Sequence, residues 1–243
     1  MSDLYVVGIG PGKISGMTIE AYECLKNCDV IAGFVTYVKL VENEFPDKEF
    51  LITGMGSEQE RCKMALEAAK AGKMVALVCS GDSSVYGMAG LVYELSESYP
   101  EVNIQIIPGV TAALSGSALL GAVAGHDFAC VSLSDYMITW EQIECRLTHL
   151  AKADMVIALY NVRSKKRPDA LKNACLLLLN ELDGNTVCGV AVNIGRADES
   201  YKIMSLTELK DYEADMFTTA FIGNSFSKII NNKLVTPRGY LNK

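Results

Sequence analysis

Three glycine-containing segments in the first half of the chain have the residue types that bring a backbone close to a ligand. They are GIGPG at residues 8–12, SGDSSVYGMAG at residues 80–90 and PGVTAA at residues 108–113. Glycine lacks the side chain that would keep a ligand at a distance, and it permits tight turns. Each segment follows an apolar run typical of a strand, and α/β proteins bind ligands at the carboxyl ends of strands. We therefore expect the three segments to converge on one small molecule.

The first segment partly matches the loop that binds dinucleotides between a strand and a helix. That fingerprint needs a third glycine, where this chain has Lys13, and an acidic residue at the end of the second strand. Asp29 precedes the second apolar run instead of ending it. A classical nicotinamide dinucleotide site is therefore disfavoured, and Gly8, Gly10 and Pro11 are left to contact another ligand.

The second segment carries the one acidic side chain of the three, Asp82. The sequence leaves two interpretations of this carboxylate open. It accepts hydrogen bonds from an amino or hydroxyl group of a ligand, or it closes an Asx turn and caps the helix that follows. In the third segment the hydroxyl of Thr111 lies beside the small Ala112, which suits a ligand contact.

His126 and Asp127, which follow a glycine-rich stretch, are the predicted catalytic residues. Histidine changes its charge near neutral pH and moves protons in many active sites. The alternative is that His126 is a structural hydrogen-bonding residue, which is the more common role. The other histidine, His149, falls on an ordinary amphipathic helix.

Basic side chains in the second half could hold an acidic ligand, because arginine forks match carboxylates. The stretch RSKKR contains Arg163, Lys165 and Lys166, although a charge run of this kind is often a solvated turn. Arg196 and Arg238 lie in less polar stretches. We predict substrate binding by the three arginines, with Arg196 and Arg238 contributing more than the two lysines.

The composition excludes several classes of protein. A net charge of −7 and a pI near 5.0 leave no basic stripe for the phosphates of nucleic acid. No apolar stretch approaches the roughly 18 uncharged residues of a transmembrane helix, and the chain starts without the features of a signal peptide. We therefore predict a cytoplasmic protein that binds neither nucleic acid nor a membrane.

The eight cysteines are scattered, lie mostly inside apolar runs and include no CxxC pair. Zinc and iron–sulfur sites need clustered ligands, and the two histidines match no such spacing. We predict reduced cysteines in the core and no metal.

Short runs rich in Val, Ile and Leu alternate with segments of helical period, which is the pattern of an α/β protein. Among the helices, Ser57 and Glu60 form an S-x-x-E capping box, an apolar stripe runs from Trp140 to Leu150, and Pro168 opens a third helix. The predicted strands are 4–9, 30–32, 74–79, 104–107, 129–133, 155–160, 187–193 and 217–222.

Residues 108–126 are almost uncharged and consist largely of Gly, Ala and Ser. Such a stretch is either a tightly packed core helix or a junction between domains that lines a ligand cleft, and we favour the junction. The predicted domains are residues 1–114 and 115–243.

In this order, the three glycine-containing segments resemble the tetrapyrrole methylase family, whose members use S-adenosylmethionine. Five further stretches extend the resemblance over essentially the whole chain, to the branch that methylates ring carbon 17 during corrin ring contraction. Two departures are the AVAGH stretch that ends at His126 and Val162 after Asn161, where the family often has proline. The five stretches are GHDFACVSLSDYMITWEQIECRL, LYNVRSKKRPDAL, VNIGRADES, TTAFIGNSFS and TPRGY.

The resemblance implies two α/β domains with the cofactor cleft between them, and a homodimer as the usual assembly. It implies S-adenosylmethionine as cofactor and S-adenosylhomocysteine as product. The implied reaction methylates carbon 17 of precorrin-3B, or of its cobalt-containing counterpart, with ring contraction in cobalamin biosynthesis. Carried over by motif, the cofactor-binding positions are Pro11, Gly81, Asp82, Val85, Tyr86, Thr111, Ala112, Tyr160, Asn161, Val190 and Thr219.

Two alternatives stay open. A sibling methylase would act at ring carbon 11 or 20, and a non-catalytic tetrapyrrole-binding partner would keep the fold without the reaction. Whether the substrate already carries cobalt, and whether ring contraction needs a second protein, are questions that the residues leave undecided.

Overall fold

The computed structural model describes residues 2–240. The chain divides into two compact units, Met1–Thr111 and Ala112–Lys243. The division falls at the start of a helix within the small-residue stretch, three residues before the boundary expected from the sequence. None of the helices in the described range has the length and apolar composition of a transmembrane span.

A parallel sheet forms the centre of the first unit. Both faces of a parallel sheet are normally covered by helices, and all five residues of its central strand β4 (Val75–Cys79) are buried. The other strands are β1 (Ser2–Gly8), β2 (Val30–Phe34), β3 (Glu49–Thr53) and β5 (Val102–Ile107). Their order across the sheet is β3-β2-β4-β1-β5, and every neighbouring pair is parallel.

Successive side chains of β1 pack on opposite faces of this sheet, as the two-residue period of a strand requires. Leu4 and Val6 join the core beneath two helices, whereas Val7 joins the core on the other face. The helices that cover Leu4 and Val6 are α3 (Glu58–Lys70) and α4 (Ala89–Ser96). Those on the face of Val7 are α1 (Ile19–Asn27) and α2 (Val35–Val38).

The second unit contains a mixed sheet of five strands. They are β7 (Phe128–Ser132), β8 (Val156–Tyr160), β9 (Val187–Val192), β10 (Ser200–Ser205) and β11 (Thr218–Ile222). Their order is β10-β9-β11-β8-β7, in which only the β7–β8 pair is parallel. Because β11 runs opposite to β8 and β9, its start lies at the same edge as their ends.

Helices cover both faces of this second sheet. One face packs against α6 (Trp140–Lys152), α7 (Ala170–Leu178) and α8 (Leu206–Lys210), and the other against α5 (Ala112–Leu120). A small separate sheet joins β6 (Gly121–Ala122), β13 (Lys233–Val235) and β12 (Lys228–Ile230).

The predicted α/β class is confirmed, and each of the eight predicted strands is present within two residues at either end. Five strands were missed. β3 and β10 are edge strands whose exposed residues interrupt the apolar pattern, and β6, β12 and β13 are only two or three residues long. Three smaller expectations are wrong. The Ser57 side chain does not cap α3, α7 begins at Ala170 instead of Pro168, and Cys145 is exposed instead of lying in the core.

Candidate functional site

The loops that follow β1, β4 and β5 meet backbone to backbone at one edge of the first sheet. A Cβ atom on Gly8 would lie 2.7 Å from the Gly109 amide nitrogen and 2.8 Å from the Gly81 carbonyl oxygen. A Cβ atom on Gly109 would lie 2.6 Å from the Gly8 carbonyl oxygen and closer still to that of Gly81. These separations are too short for any side chain. The three segments therefore converge, as their positions after strands predict.

Gly10 and Gly81 lock the first two loops together. The Gly10 amide donates to the Gly81 carbonyl oxygen at 3.0 Å, and the Gly81 amide donates back to Gly10 at 2.8 Å. Both glycines have positive φ, +71° and +67°, a region that other residues rarely adopt. Because this register depends on backbone alone, it stays fixed whatever the side-chain rotamers.

Asp82 binds the backbone of two of these loops. Its Oδ1 accepts hydrogen bonds from the amides of Ser84 at 2.8 Å and Val85 at 3.1 Å, which is an Asx turn. Its Oδ2 accepts a hydrogen bond from the Gly109 amide at 2.9 Å. The carboxylate therefore accepts three backbone hydrogen bonds. Of the two interpretations that the sequence left open, the Asx turn is present.

The other predicted cofactor positions of the first unit lie on the same loops. The Pro11 ring packs over Gly16, where a Cβ atom would be 3.1 Å from the proline Cγ. Tyr86 is half exposed and has a φ of +55°, a costly conformation for a tyrosine. Such strain is found where function requires it. Thr111 is the last residue of the unit.

In the second unit, Tyr160 and Asn161 lie together where β8 ends. The Tyr160 hydroxyl accepts a hydrogen bond from the Ala113 amide at 2.6 Å, one residue after Ala112. Asn161 has a φ of +54°, and its side-chain amide donates to the Ser132 hydroxyl at 2.8 Å. These bonds join the ends of β7 and β8 to the start of α5.

Val190 and Thr219 lie on adjacent strands near this edge but are buried. The Val190 side chain is fully buried in the core beneath α6, α7 and α8. Thr219 is 6% exposed and pairs with Ala191 across the sheet. Val190 also pairs with Lys202 and Ala220 on the two neighbouring strands. The role of Val190 and Thr219 as cofactor-binding positions stays a prediction.

The structure does not bring His126 and Asp127 to the same edge as Tyr160. They precede β7, whereas Tyr160 ends the neighbouring parallel strand, so the five residues of β7 separate them by about 16 Å. His126 is exposed and stacks on Phe226, with ring centroids 5.4 Å apart. Their catalytic role stays a prediction.

The three predicted substrate arginines lie in different places. Arg196 follows β9 at the Tyr160 edge, with its guanidinium 4.3 Å from the centre of the Phe217 ring. Arg163 follows β8 and donates to the Ala214 carbonyl oxygen at 3.1 Å beside a cavity of about 280 Å³ near α7 and α8. Arg238 is exposed, and it follows a segment that packs against Gly125. Arg163 and Arg196 thus follow strand ends at the edge where Tyr160 lies, and β11 separates the two strands, whereas Arg238 belongs to a different part of the unit.

Sequence reasoning missed a buried cation, Arg61, which is 5% exposed. Its Nε donates to the Thr53 hydroxyl at 2.8 Å, and its Nη2 donates to the Gly54 carbonyl oxygen at 2.9 Å. Nη1 lies 3.8 Å from the Met88 sulfur. An arginine on an amphipathic helix normally faces water, so no sequence signal identified it. Its bonds anchor the loop after β3 to α3.

Two buried thiols, those of Cys62 and Cys79, lie close to Met88 near Arg61 and are poor nucleophiles. Burial raises the pKa of Cys79 to about 12 and that of Cys62 to about 11, so both stay protonated at neutral pH. Within residues 2–240, no three His, Cys, Asp or Glu side chains group as metal ligands.

Residues 3–210 match the family described as tetrapyrrole (corrin/porphyrin) methylases. A probable cobalt-factor III C(17)-methyltransferase of Salmonella typhimurium is 41% identical over 98% of this chain and 99% of its own length. A precorrin-3B C(17)-methyltransferase of a Sinorhizobium species is 38% identical over 98% and 96%. The crystal structure of the methyltransferase CobJ superposes with a TM-score of 0.90 at 32% identity, covering 96% of this chain and 99% of CobJ.

Proposed function

This chain belongs to the tetrapyrrole (corrin/porphyrin) methylases, and we propose that it methylates carbon 17 of precorrin-3B or of its cobalt-containing counterpart. The methyl donor is S-adenosylmethionine, and the methylation accompanies ring contraction in cobalamin biosynthesis. The observation that carries the proposal is full-length similarity, at 41% and 38% identity, to two proteins named for this reaction.

The loops of the first unit fit a cationic methyl donor. Residues 8–12, 80–90 and 108–113 contain no lysine or arginine, and their single carboxylate is occupied by three backbone amides. Apart from this hydrogen-bonded carboxylate, the loops present only neutral groups. S-adenosylmethionine supplies a methyl group on a positively charged sulfonium, and that charge disappears during transfer, so a lining of neutral dipoles favours the reaction.

The task of the chain's own residues is to place the reacting atoms in line. Orientation alone can lower a barrier by about 7–11 kcal/mol. The contacts among Gly8, Gly81 and Gly109 hold three loops in one geometry, and Asp82 acts as a positioning residue that ties two of them. In the second unit, Tyr160 and Asn161 fix the corresponding strand end. Transfer to an electron-rich carbon requires no covalent intermediate with the protein.

The test of the cofactor is calorimetry with S-adenosylhomocysteine, which we expect to bind at one molecule per chain. The test of the reaction is incubation with S-adenosylmethionine carrying a labelled methyl group, and with each of the two substrates in parallel. The label should appear on carbon 17 of a ring-contracted product. Absence of S-adenosylhomocysteine binding would refute the cofactor assignment.

The same incubation separates the alternatives. A label on ring carbon 11 or 20 would identify a sibling methylase. Binding of the tetrapyrrole without methyl transfer would identify a non-catalytic partner. The names of the two relatives, one for cobalt-factor III and one for precorrin-3B, favour neither substrate, so the ratio of kcat/KM for the two decides which form is physiological.

We further infer a homodimer that works in the cytoplasm, because the family resemblance implies that assembly. Light scattering coupled to gel filtration should give twice the chain mass of 26.3 kDa. A monomer that turns over substrate at full rate would contradict the dimer without affecting the reaction.

A further inference from the structure

Two neighbouring loops of the second unit combine exposed apolar side chains with exposed cations. The loop at residues 133–139 follows β7, and the loop at residues 161–169 follows β8. The two strands are parallel with Ser132 opposite Tyr160, so both loops leave the same edge side by side. This is the edge at which Asn161 and Arg196 also lie.

The first of these loops exposes two large apolar side chains at its tip. Tyr136 is 82% exposed and Met137 is 86% exposed. The loop is anchored on both sides, because Leu133 is fully buried and Thr139 forms a capping box with Gln142 at the start of α6. Removing an apolar side chain from water is favourable, so two that stay exposed on an anchored loop suit an apolar ligand.

The second loop presents two lysines on a tight turn. The backbones of Ser164 and Arg167 exchange hydrogen bonds at 3.2 and 3.1 Å, which leaves Lys165 and Lys166 at the tip. Both lysines are exposed, and neither has an ion-pair partner among residues 2–240. The turn thus holds two uncompensated charges in place on a chain whose net charge is −7.

An ion pair connects the two loops. The Arg167 Nη1 lies 3.3 Å from the Asp135 Oδ1, next to Tyr136. Its Nε also donates to the Ser164 hydroxyl at 3.3 Å. Arg167 therefore holds the lysine turn beside the apolar tip, and the two form one surface, which we call the tyrosine–lysine surface (Tyr136, Met137, Lys165 and Lys166).

We propose that the tyrosine–lysine surface binds the tetrapyrrole substrate. The macrocycle lies against Tyr136 and Met137, and its carboxylate side chains meet Lys165 and Lys166. An apolar ring with an acidic rim is complementary to this surface in both polarity and charge. The inference rests on the proposed function for the identity of the ligand. It reverses the ranking expected from the sequence, in which Arg196 and Arg238 outweigh the two lysines.

Two double variants test the two halves of the surface. Tyr136→Ala with Met137→Ala removes the apolar tip, and Lys165→Glu with Lys166→Glu reverses the cations. Each is expected to raise the KM for the tetrapyrrole by about tenfold or more, the effect of two exposed contacts of roughly 0.7 kcal/mol each. Affinity for S-adenosylhomocysteine, measured by calorimetry, should stay within twofold of the parent.

Matched controls carry the same changes elsewhere. Tyr93→Ala with Leu176→Ala removes one aromatic and one aliphatic side chain that are about half exposed on helices. Lys39→Glu with Lys63→Glu changes the net charge by the same amount at exposed positions. Both controls should keep the parental KM. If the controls raise KM as much as the test variants do, or if the test variants keep the parental KM, the proposal is wrong.

Binding of uroporphyrin III, followed by its fluorescence, separates this proposal from the proposed function. Suppose that the parent methylates neither substrate yet binds uroporphyrin III, and that the two test variants lose that binding. The proposed binding surface is then supported and the proposed reaction is wrong. If the parent methylates carbon 17 and the variants are unaffected, only the proposed binding surface is wrong. If instead the test variants change the mass from light scattering, a second copy of the chain covers the surface and the proposal is wrong.

Discussion

At the scale of single residues, Asp82 shows how a side chain in a ligand-binding motif can act through the backbone. Its three acceptor bonds lie within the protein, two in an Asx turn and one to Gly109. The sequence allowed either a ligand contact or a turn, because an aspartate after a glycine suits both. The third bond comes from the Gly109 amide, which is 27 residues away, and no sequence pattern indicates that contact.

Asp82→Asn should lower the free energy of unfolding by about 1.5–3 kcal/mol, the value of hydrogen bonds to a charged acceptor. An amide can keep the turn through its oxygen, but its NH2 group faces the Gly109 amide and repels it. Urea denaturation measures the loss. Ser84→Ala leaves all three bonds in place and is the control. Unchanged stability with lost S-adenosylhomocysteine binding would assign the carboxylate to the ligand instead.

His126 poses the opposite question, because its residue type suggests catalysis and its position does not. It stacks on Phe226 at the end of β7 remote from Tyr160. His126→Phe keeps a flat ring for that stacking and removes the titrating nitrogen. We expect kcat within about threefold of the parent, because only a positioned acid or base contributes the ~10²–10⁴-fold typical of proton transfer. A loss of a hundredfold or more, with unchanged stability, would restore His126 as the catalytic residue.

At the scale of elements, apolar runs were sufficient to locate four of the five strands in each large sheet. The runs 74–79 and 155–160 were recognised because β4 is buried throughout and β8 almost so. Strand β10 was missed because its first three residues are exposed and polar side chains interrupt its pattern. The edge position of a strand is a property of the sheet, so a local pattern does not reveal it.

The convergence of the three loops was also predictable, but the backbone contacts that hold them together were not. Glycines after strands predicted that three loops meet, whereas the contact of Gly109 with Gly8 and Gly81 depends on β1 lying between β4 and β5. Strand order is set by tertiary packing. The buried Arg61 was hidden for the same reason, since Thr53 and Gly54 reach it only once β3 is in the sheet.

Gly109→Ala should disrupt the loop junction. The new Cβ would lie 2.6 Å from the Gly8 carbonyl oxygen, so backbone must move, at a cost of about 1–3 kcal/mol. S-adenosylhomocysteine affinity, measured by calorimetry, should fall by at least tenfold because the displaced loops no longer align.

The matched control is Gly90→Ala, within α4. A Cβ atom there has no neighbour within 4 Å, and alanine favours a helix by about 0.5–1 kcal/mol over glycine. We expect unchanged or slightly increased stability and parental affinity. Equal affinity in both variants would show that the junction does not position the cofactor.

At the scale of the whole molecule, buried thiols couple stability to alkaline pH. Burial raises the pKa of Cys62 to about 11, and that of Cys79 and Cys175 to about 12, from 9.0. Unfolded thiols ionise first, so the stabilisation is complete below pH 9 and is lost as the pH rises toward 12. Denaturation at pH 8 and pH 10 should show this decline, and replacing Cys62 and Cys79 by alanine should reduce it. An equal decline in the variant would assign the effect to other groups.

The net charge of −7 opposes the approach of an acidic tetrapyrrole, so association depends on the competition between long-range repulsion and the local attraction of Lys165 and Lys166. Salt screens both, but the Debye length is about 10 Å at 0.1 M, so the repulsion, which acts over longer distances, is screened first. We expect the association rate of uroporphyrin III, measured by stopped-flow fluorescence, to rise between 10 and 100 mM salt and to fall above about 300 mM. Lys165→Glu with Lys166→Glu should remove the fall and keep the rise, because only repulsion then remains. A rate that falls steadily with salt in the parent would mean that local attraction dominates at every range, and the chain would need a larger basic surface than the one described.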